Sequence, residues 1–371
     1  MTLAELIAAE IRARGPIPFA RFMERALYEP GLGYYATSAA RTGQAGDFFT
    51  ASDVGPAFGA CLARQLGEMD RLLGRPDPFT LVEFGPGRGW LARDLLDALA
   101  SRDPDLRGRV ETVLVEASAA MREEAGRRVP EARVVAPGEE PSGRAGAVLA
   151  VELFDALPVH RVRRMSGVIR ELFVALDAAG KLCESPGEPL AETAAMAARY
   201  GAAEGEGDEA EVCPAALRQL DTMEGCLRRG FFLVVDYGDT ASGLYGGARR
   251  RGTLLAYHRH ATSEAYLERV GGQDLTAHVN FSALRDRARE RGLTLLGLTT
   301  QDRFLIANGI LEDFEETDSA RWREPAQVKR RLQAMQLIHP QGMGQAFKVL
   351  VLSRGIEPAP VLAGLRDPLR D

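Results

Sequence analysis

The sequence is short of the residues that announce a metal centre or a disulfide framework. Its four cysteines, Cys61, Cys183, Cys213 and Cys226, are scattered without a C-x-x-C pair. That pattern suits a reducing compartment and suggests neither a zinc site nor structural disulfides. His258 and His260 stand two apart with no third ligand close by, so no metal is expected. Positive charge is not in excess. A net charge of −6 argues against a broad nucleic-acid footprint. No apolar run reaches membrane-spanning length, so no membrane partner is expected. The opening MTLAELIAAEIRARG carries Glu5 and Glu10, which suits an amphipathic helix better than a signal or transit peptide. The expected location is cytoplasmic. A Gly-Lys-Ser/Thr phosphate loop is also missing.

What is present centres on LVEFGPGRGW, Leu81 to Trp90. Leu81 and Val82 read as the end of a buried strand, and Gly85, Gly87 and Gly89 as a tight turn. Leu91, Leu95 and Leu99 then share one helix face. Glycine lets a ligand approach the backbone closely. The spacing does not match G-x-G-x-x-G, whose last position falls on Trp90. An acid ahead of the turn, Glu83 beside Phe84, suits a cationic amino-acid ligand better than a pyrophosphate. S-adenosylmethionine (SAM) carries an ammonium and a sulfonium, and the stretch resembles motif I of the class I methyltransferases. A glycine turn with no ligand is the plainer alternative. In VETVLVEAS, a second buried strand ends at Glu116 and Ala117. An acid at that tip is placed to accept hydrogen bonds from ribose hydroxyls.

Around this core the chain divides by composition. Residues 1–75 read as a helical extension, with apolar stripes at Leu3, Ile7 and Ile11 and at Phe19, Phe22, Met23 and Leu27. They include a long loop, Gly33 to Gly59, read as a lid with Asp47 and Thr50 facing the ligand, ahead of a helix at Ala57 to Leu73. Residues 76–176 and 227–355 read as the catalytic core, with a loop-rich region near 241–284. Residues 177–226, with their AEGEGDEAE run, read as a mobile acidic insertion. Residues 356–371 read as a loose tail. Strands over Ala132–Val135, Ala147–Val151 and Phe231–Val235, and two closing strands in TLLGLTT and QAFKVLVLSR, complete the sheet. Glu152 and Asp155 fall at one strand tip, and Asp274 and His278 in GQDLTAHVNF. In an open α/β sheet, chemistry gathers at this carboxyl edge.

With these segments placed, the chain resembles the MidA-type methyltransferases, bacterial relatives of the mitochondrial complex I assembly factor that is a protein arginine methyltransferase. The resemblance runs nearly end to end, through GPIPFARFMERALYEPGLGYYA, GDFFTASDVGPAFG, VEFGPGRG, VELFDALPVH, DYGD, GTLLAYHRH, GQDLTAHVNF and HPQGMGQAFKVL. It implies a class I SAM-dependent methyltransferase fold: Rossmann-like α/β, a mostly parallel seven-stranded sheet, an N-terminal helical extension and an inserted subdomain. It also implies SAM contacts at Gly46, Asp47, Phe48, Glu83, Gly85 and Gly87. Where members read Asn-Glu at the fourth strand tip, this chain has Val151 and Glu152.

The resulting expectation is a methyl transfer from SAM to a protein arginine, for example on a respiratory-complex subunit. A guanidinium is a pure donor, which carboxylates hold bidentately. Glu152 and Asp155 are the candidate anchors, with Asp274 or His278 receiving the released proton. Two alternatives stand beside it. One is a small-molecule or modified-peptide acceptor, and the other is a SAM-binding assembly factor without turnover. A homodimer is left open.

Overall fold

The computed structural model describes residues 1–37, 55–247, 249–259, 261–312 and 325–367. These fall into two compact units. One lies within Met1–Phe48, Leu153–Leu220 and Tyr237–Arg287, the other within Phe49–Glu152, Asp221–Asp236 and Ala288–Asp371. Strands are numbered β1 to β16 along the chain.

The second unit holds the glycine stretch. β2 (Phe79–Phe84) is flanked by β3 (Val110–Val115) and β5 (Arg144–Val151), with β4 (Arg133–Val135) outside β3. Beyond β5 come β10 (Leu227–Asp239), β16 (Phe347–Arg354) and β15 (Thr294–Thr300). The pairings β2–β3, β2–β5, β3–β4 and β5–β10 are parallel, and β15–β16 is antiparallel. These seven in line form the mostly parallel sheet expected for a class I methyltransferase, and an eighth, two-residue strand pairs with β10 off that line. Every residue of β2 is buried, which is why a continuous apolar run marks a parallel strand covered on both faces. Gly146 of β5 is required by the approach to β2: a Cβ there would lie 2.0 Å from the Thr80 carbonyl oxygen.

Helix Trp90–Arg102 buries Leu91, Leu95 and Leu99, the stripe read from its spacing. It packs against helix Ala57–Leu72, where a Cβ on Gly59 would come within 2.9 Å of Asp94 Cβ. Asp70, 2% exposed, takes a two-pronged grip from Arg109 at 2.8 and 3.0 Å.

The first unit is antiparallel. β7 (Val168–Leu176) pairs with β1 (Ile17–Pro18), β6 (His160–Met165) and β8 (Leu182–Gly187), and β6 pairs with β9 (Glu209–Val212). A separate small sheet places β11 (Leu255–His258) between β12 (Ala261–Ser263) and β13 (Asp274–Thr276). The short β14 (Val279–Asn280) pairs with Gly238 and Asp239 at the end of β10. Helices Leu3–Arg14 and Phe19–Tyr28 bury the predicted stripes in one core with Val159, Val174, Leu254 and Leu275. The first helix opens with a capping box: Glu5 Oε2 accepts from the Thr2 amide at 2.8 Å and Thr2 Oγ1 from the Glu5 amide at 3.3 Å.

The structure corrects two readings. The acid-rich segment is not a structureless solvated run. It leads into β9, because its acids find cations and amides. Glu206 accepts from the Ser166 and Gly167 amides at 2.7 and 3.0 Å, and Asp208 meets Arg250 at 2.7 Å. Glu209 takes both Arg161 and Arg163 at 2.6 Å. The tail is likewise not loose: Leu362 is buried, and the Ala363 and Gly364 amides donate to Glu68 at 2.9 Å and Gln65 at 3.0 Å. No helix among the described residues is long and apolar enough to cross a membrane.

Candidate functional site

The strand-to-helix bend follows from three glycines in the left-handed region, Gly85 (φ 69°), Gly87 (φ 52°) and Gly89 (φ 77°). Their roles differ. A Cβ on Gly89 would press on Ala125 at 3.3 Å, so its hydrogen permits close helix packing. A Cβ on Gly87 would meet nothing within 4 Å among the described residues, which leave that face of the bend open. The Gly85 amide donates to the Val115 carbonyl at 2.9 Å and ties the bend to β3.

Glu116, just past β3, straps this bend from the other side. Its Oε2 accepts from the Gly87 amide at 3.1 Å and its Oε1 from the Ser118 amide at 2.7 Å. A carboxylate offers about four lone-pair sites, so some acceptor capacity remains beyond these amides. Burial raises its pKa, opposed by the Ser118 and Gly87 amides and by Arg122. Arg122 donates to the carbonyls of Glu116 and of the exposed Ala117, both at 2.7 Å.

Glu83 is the unusual member. It sits inside β2, next to the buried Phe84, only 4% exposed. Among the described residues its carboxyl group meets no cation and no hydrogen-bond donor. Burial, helped by the nearby charge of Glu116, pushes it up to about 8. A buried acid without a partner is costly, and an arriving cation would relieve the cost. An ammonium donor at Glu83, hydroxyl donors at Glu116 and an open face at Gly87 fit an amino-acid nucleoside such as SAM.

β5 ends at Val151 and is followed by Glu152, whose φ of 51° is rare for a residue with a Cβ. Its amide donates to the Val235 carbonyl at 2.9 Å, fixing it beside the β10 tip. Such strain, on the order of 1–3 kcal/mol, persists where surrounding structure enforces it, often at functional sites.

The first unit gathers the other expected residues. Asp155 and Asp274 are 4% and 2% exposed. The Asp155 carbonyl accepts from the Ala277 amide at 3.0 Å, which joins its segment to the one carrying His278. Tyr35 donates its hydroxyl across Asp274 at 2.9 and 3.1 Å and stacks on Tyr28 at 5.5 Å. Burial and the charges of Asp274 and Asp155 raise the Tyr35 pKa, so the phenol keeps its proton. Burial and the same two aspartates also raise Tyr257. His278 Nδ1 lies 3.1 Å from an Arg249 nitrogen, and since a guanidinium only donates, the imidazole proton is assigned to Nε2. Its ring stacks near Tyr237 at 6.3 Å. Gly46, Asp47, Phe48 and Thr50 lie outside the described residues.

Sequence reasoning passed over Tyr257, Arg249 and the partnership of Tyr35 with Asp274. Tyr35 and Asp274 are 239 positions apart, and no local pattern joins them.

A parallel sheet with an acid before a glycine bend and a second acid at the neighbouring strand tip defines a class I SAM-dependent methyltransferase. A family model described as "Putative S-adenosyl-L-methionine-dependent methyltransferase" matches residues 61–299. The chain belongs to this MidA-like family. It is 30% identical to the mitochondrial protein arginine methyltransferase NDUFAF7 of Mus musculus, over 92% of this chain and 82% of the relative. It is 28% identical to the NDUFAF7 homolog of Drosophila melanogaster, over 96% of this chain and 85% of the relative. A crystal structure from Burkholderia thailandensis, bound to S-adenosyl-homocysteine, is 34% identical with a TM-score of 0.85. That match covers 98% of this chain and 94% of the other.

Proposed function

We propose that this enzyme methylates an arginine guanidinium of a protein. The observation that carries the reading is the pair of buried aspartates, Asp155 and Asp274, whose charges both act on Tyr35 and Tyr257. The names of the mouse and fly relatives support it. When bound, SAM supplies an electrophilic methyl on a sulfonium. Glu83 answers its ammonium and Glu116 its ribose hydroxyls, while Gly85 and Gly87 let the ligand lie against the backbone. Phe84 and Ala117 frame these two acids.

On the acceptor side, Asp155 and Asp274 take N–H edges of the guanidinium. They draw positive charge toward themselves and leave the remaining nitrogen more nucleophilic. Tyr35 keeps Asp274 oriented through its hydroxyl. Glu152 is assigned to align the attacking nitrogen. As that nitrogen bonds to the methyl carbon the carbon–sulfur bond breaks, S-adenosylhomocysteine leaves, and the nitrogen sheds a proton. We assign that proton to Asp274 rather than His278, whose Nδ1 lone pair is engaged by Arg249.

The test uses full-length protein, methyl-labelled SAM and a cell lysate, with labelled products identified by mass spectrometry. Methylated arginine in a protein is the expected product. A base-labile carboxyl ester or a labelled small molecule would overturn the arginine reading. Labelling that never exceeds background, despite SAM binding by calorimetry, would instead point to an assembly factor. Glu152→Gln should bind S-adenosylhomocysteine normally and lose transfer by more than about 100-fold.

A further inference from the structure

Within the first unit, a cavity of about 220 Å³ opens beside β6 and β11. Its charged wall is Arg161, Glu209, Arg249, Arg251 and Glu264, its aromatic wall Tyr266 and His278, and part of its floor Leu254 and Leu255. The charges cancel except for one. Arg161, 3% exposed, is gripped by Glu184 and by Glu209 at 2.6 Å and lies 4.4 Å from the Tyr266 ring. Arg251 meets Glu264 at 2.6 Å. Arg249 pairs with no carboxylate among the described residues and is turned onto His278 instead. In addition, the buried Nε of Arg161 has no hydrogen-bond partner among the described residues. A small cavity with one uncompensated guanidinium, a spare buried donor and an apolar floor suits a single carboxylate on a short alkyl stem.

Its place relative to the aspartates is set by strand register. Leu255, on the cavity floor, pairs with Thr276, and Tyr257, two residues along β11, pairs with Asp274. Two strand residues span roughly 7 Å, the distance two residues of an extended peptide also cover. We propose that this cavity is an acceptor subsite for a glutamate or aspartate side chain two residues from the methylated arginine. The proposal rests on the protein-arginine reading above, and Arg249 is its specificity-determining residue.

The test compares two glycine-rich peptides, each with one arginine, carrying either glutamate or glutamine two residues away on both sides. At low salt, where exposed charges are least screened, the native protein should show a KM about fivefold lower for the glutamate peptide at similar kcat. Arg249→Gln should erase that difference. Equal KM values in the native protein, or a preference that survives Arg249→Gln, would overturn the subsite. If neither peptide is methylated, fluorescence-polarisation binding of the same pair still reads the cavity. A glutamate preference removed by Arg249→Gln would keep the subsite while the arginine reading falls. Arg249-dependent stabilisation by free succinate, with no preference between the peptides, would assign the cavity to a small carboxylate and overturn the peptide version.

Discussion

The two units bury carboxylates in opposite ways. Glu83, inside a parallel strand, has no partner among the described residues and is driven up to about 8, chiefly by burial. Glu184 is half-buried, and burial alone would raise it. The charge of Arg161, a hydrogen bond from Tyr266 and the charge of Arg163 reverse the sign and hold it below the ordinary carboxylate range. The four-membered cluster of Arg161, Arg163, Glu184 and Glu209 closes on itself, with contacts at 2.6 and 3.2 Å among them. An acid matched by its own chain contributes to the fold. An acid left unmatched beside a glycine bend costs stability until a cation reaches it.

The contrast can be broken at either end. Arg161→Met strips the cluster of its most buried cation and leaves Glu184 and Glu209 short of charge. The expected loss is about 3–5 kcal/mol in chemical denaturation, with a matching fall in Tm. A smaller loss would mean that Arg163 and solvent suffice. Glu83→Gln should act with the opposite sign on the unliganded protein. The folded pKa, about 8, lies above the unfolded value near 4.5. Between those values the unfolded chain has released a proton that the folded chain retains, so this group's contribution falls as pH rises. The variant should therefore gain roughly 1–3 kcal/mol over the native protein at pH 8 and little below about pH 4, where the acid is mostly protonated in both the folded and the unfolded chain. The same substitution should weaken S-adenosylhomocysteine binding by calorimetry. Native affinity should rise from pH 6 to pH 8 as Glu83 ionises more readily. Thr2→Ala opens the capping box at an exposed helix start, and about 1 kcal/mol is expected from denaturant midpoints.

These regions also differ in how much of them the sequence made legible. The Leu81–Trp90 stretch could be read because strand, bend and helix are consecutive and each carries its own signal: an apolar run, glycines, a leucine stripe. Glu116 was readable as the acid that ends the next apolar strand. β6 was not recognised as a strand. It alternates no cleaner than HRVRRM, and Arg161 and Arg163 are tolerable in a sheet because Glu184 and Glu209 arrive from β8 and β9. The AEGEGDEAE run misled for the same reason, since the arginines and amides that order it lie far away in sequence. Asp274 and His278 stood out as polar residues crowded into one segment, but Tyr35 and Arg249 acquire their meaning only through contacts that folding creates.

The strap from Glu116 to Gly87 and Ser118 has one further implication. Because the carboxylate spans both amides before anything is bound, the bend keeps its shape at rest, and little conformational freedom is left for an incoming nucleoside to remove. Shortening that side chain by a single methylene would take one amide out of reach. The loop would then have to be ordered at the moment of capture, and the penalty would appear as slower, weaker loading even though every acceptor atom was still present.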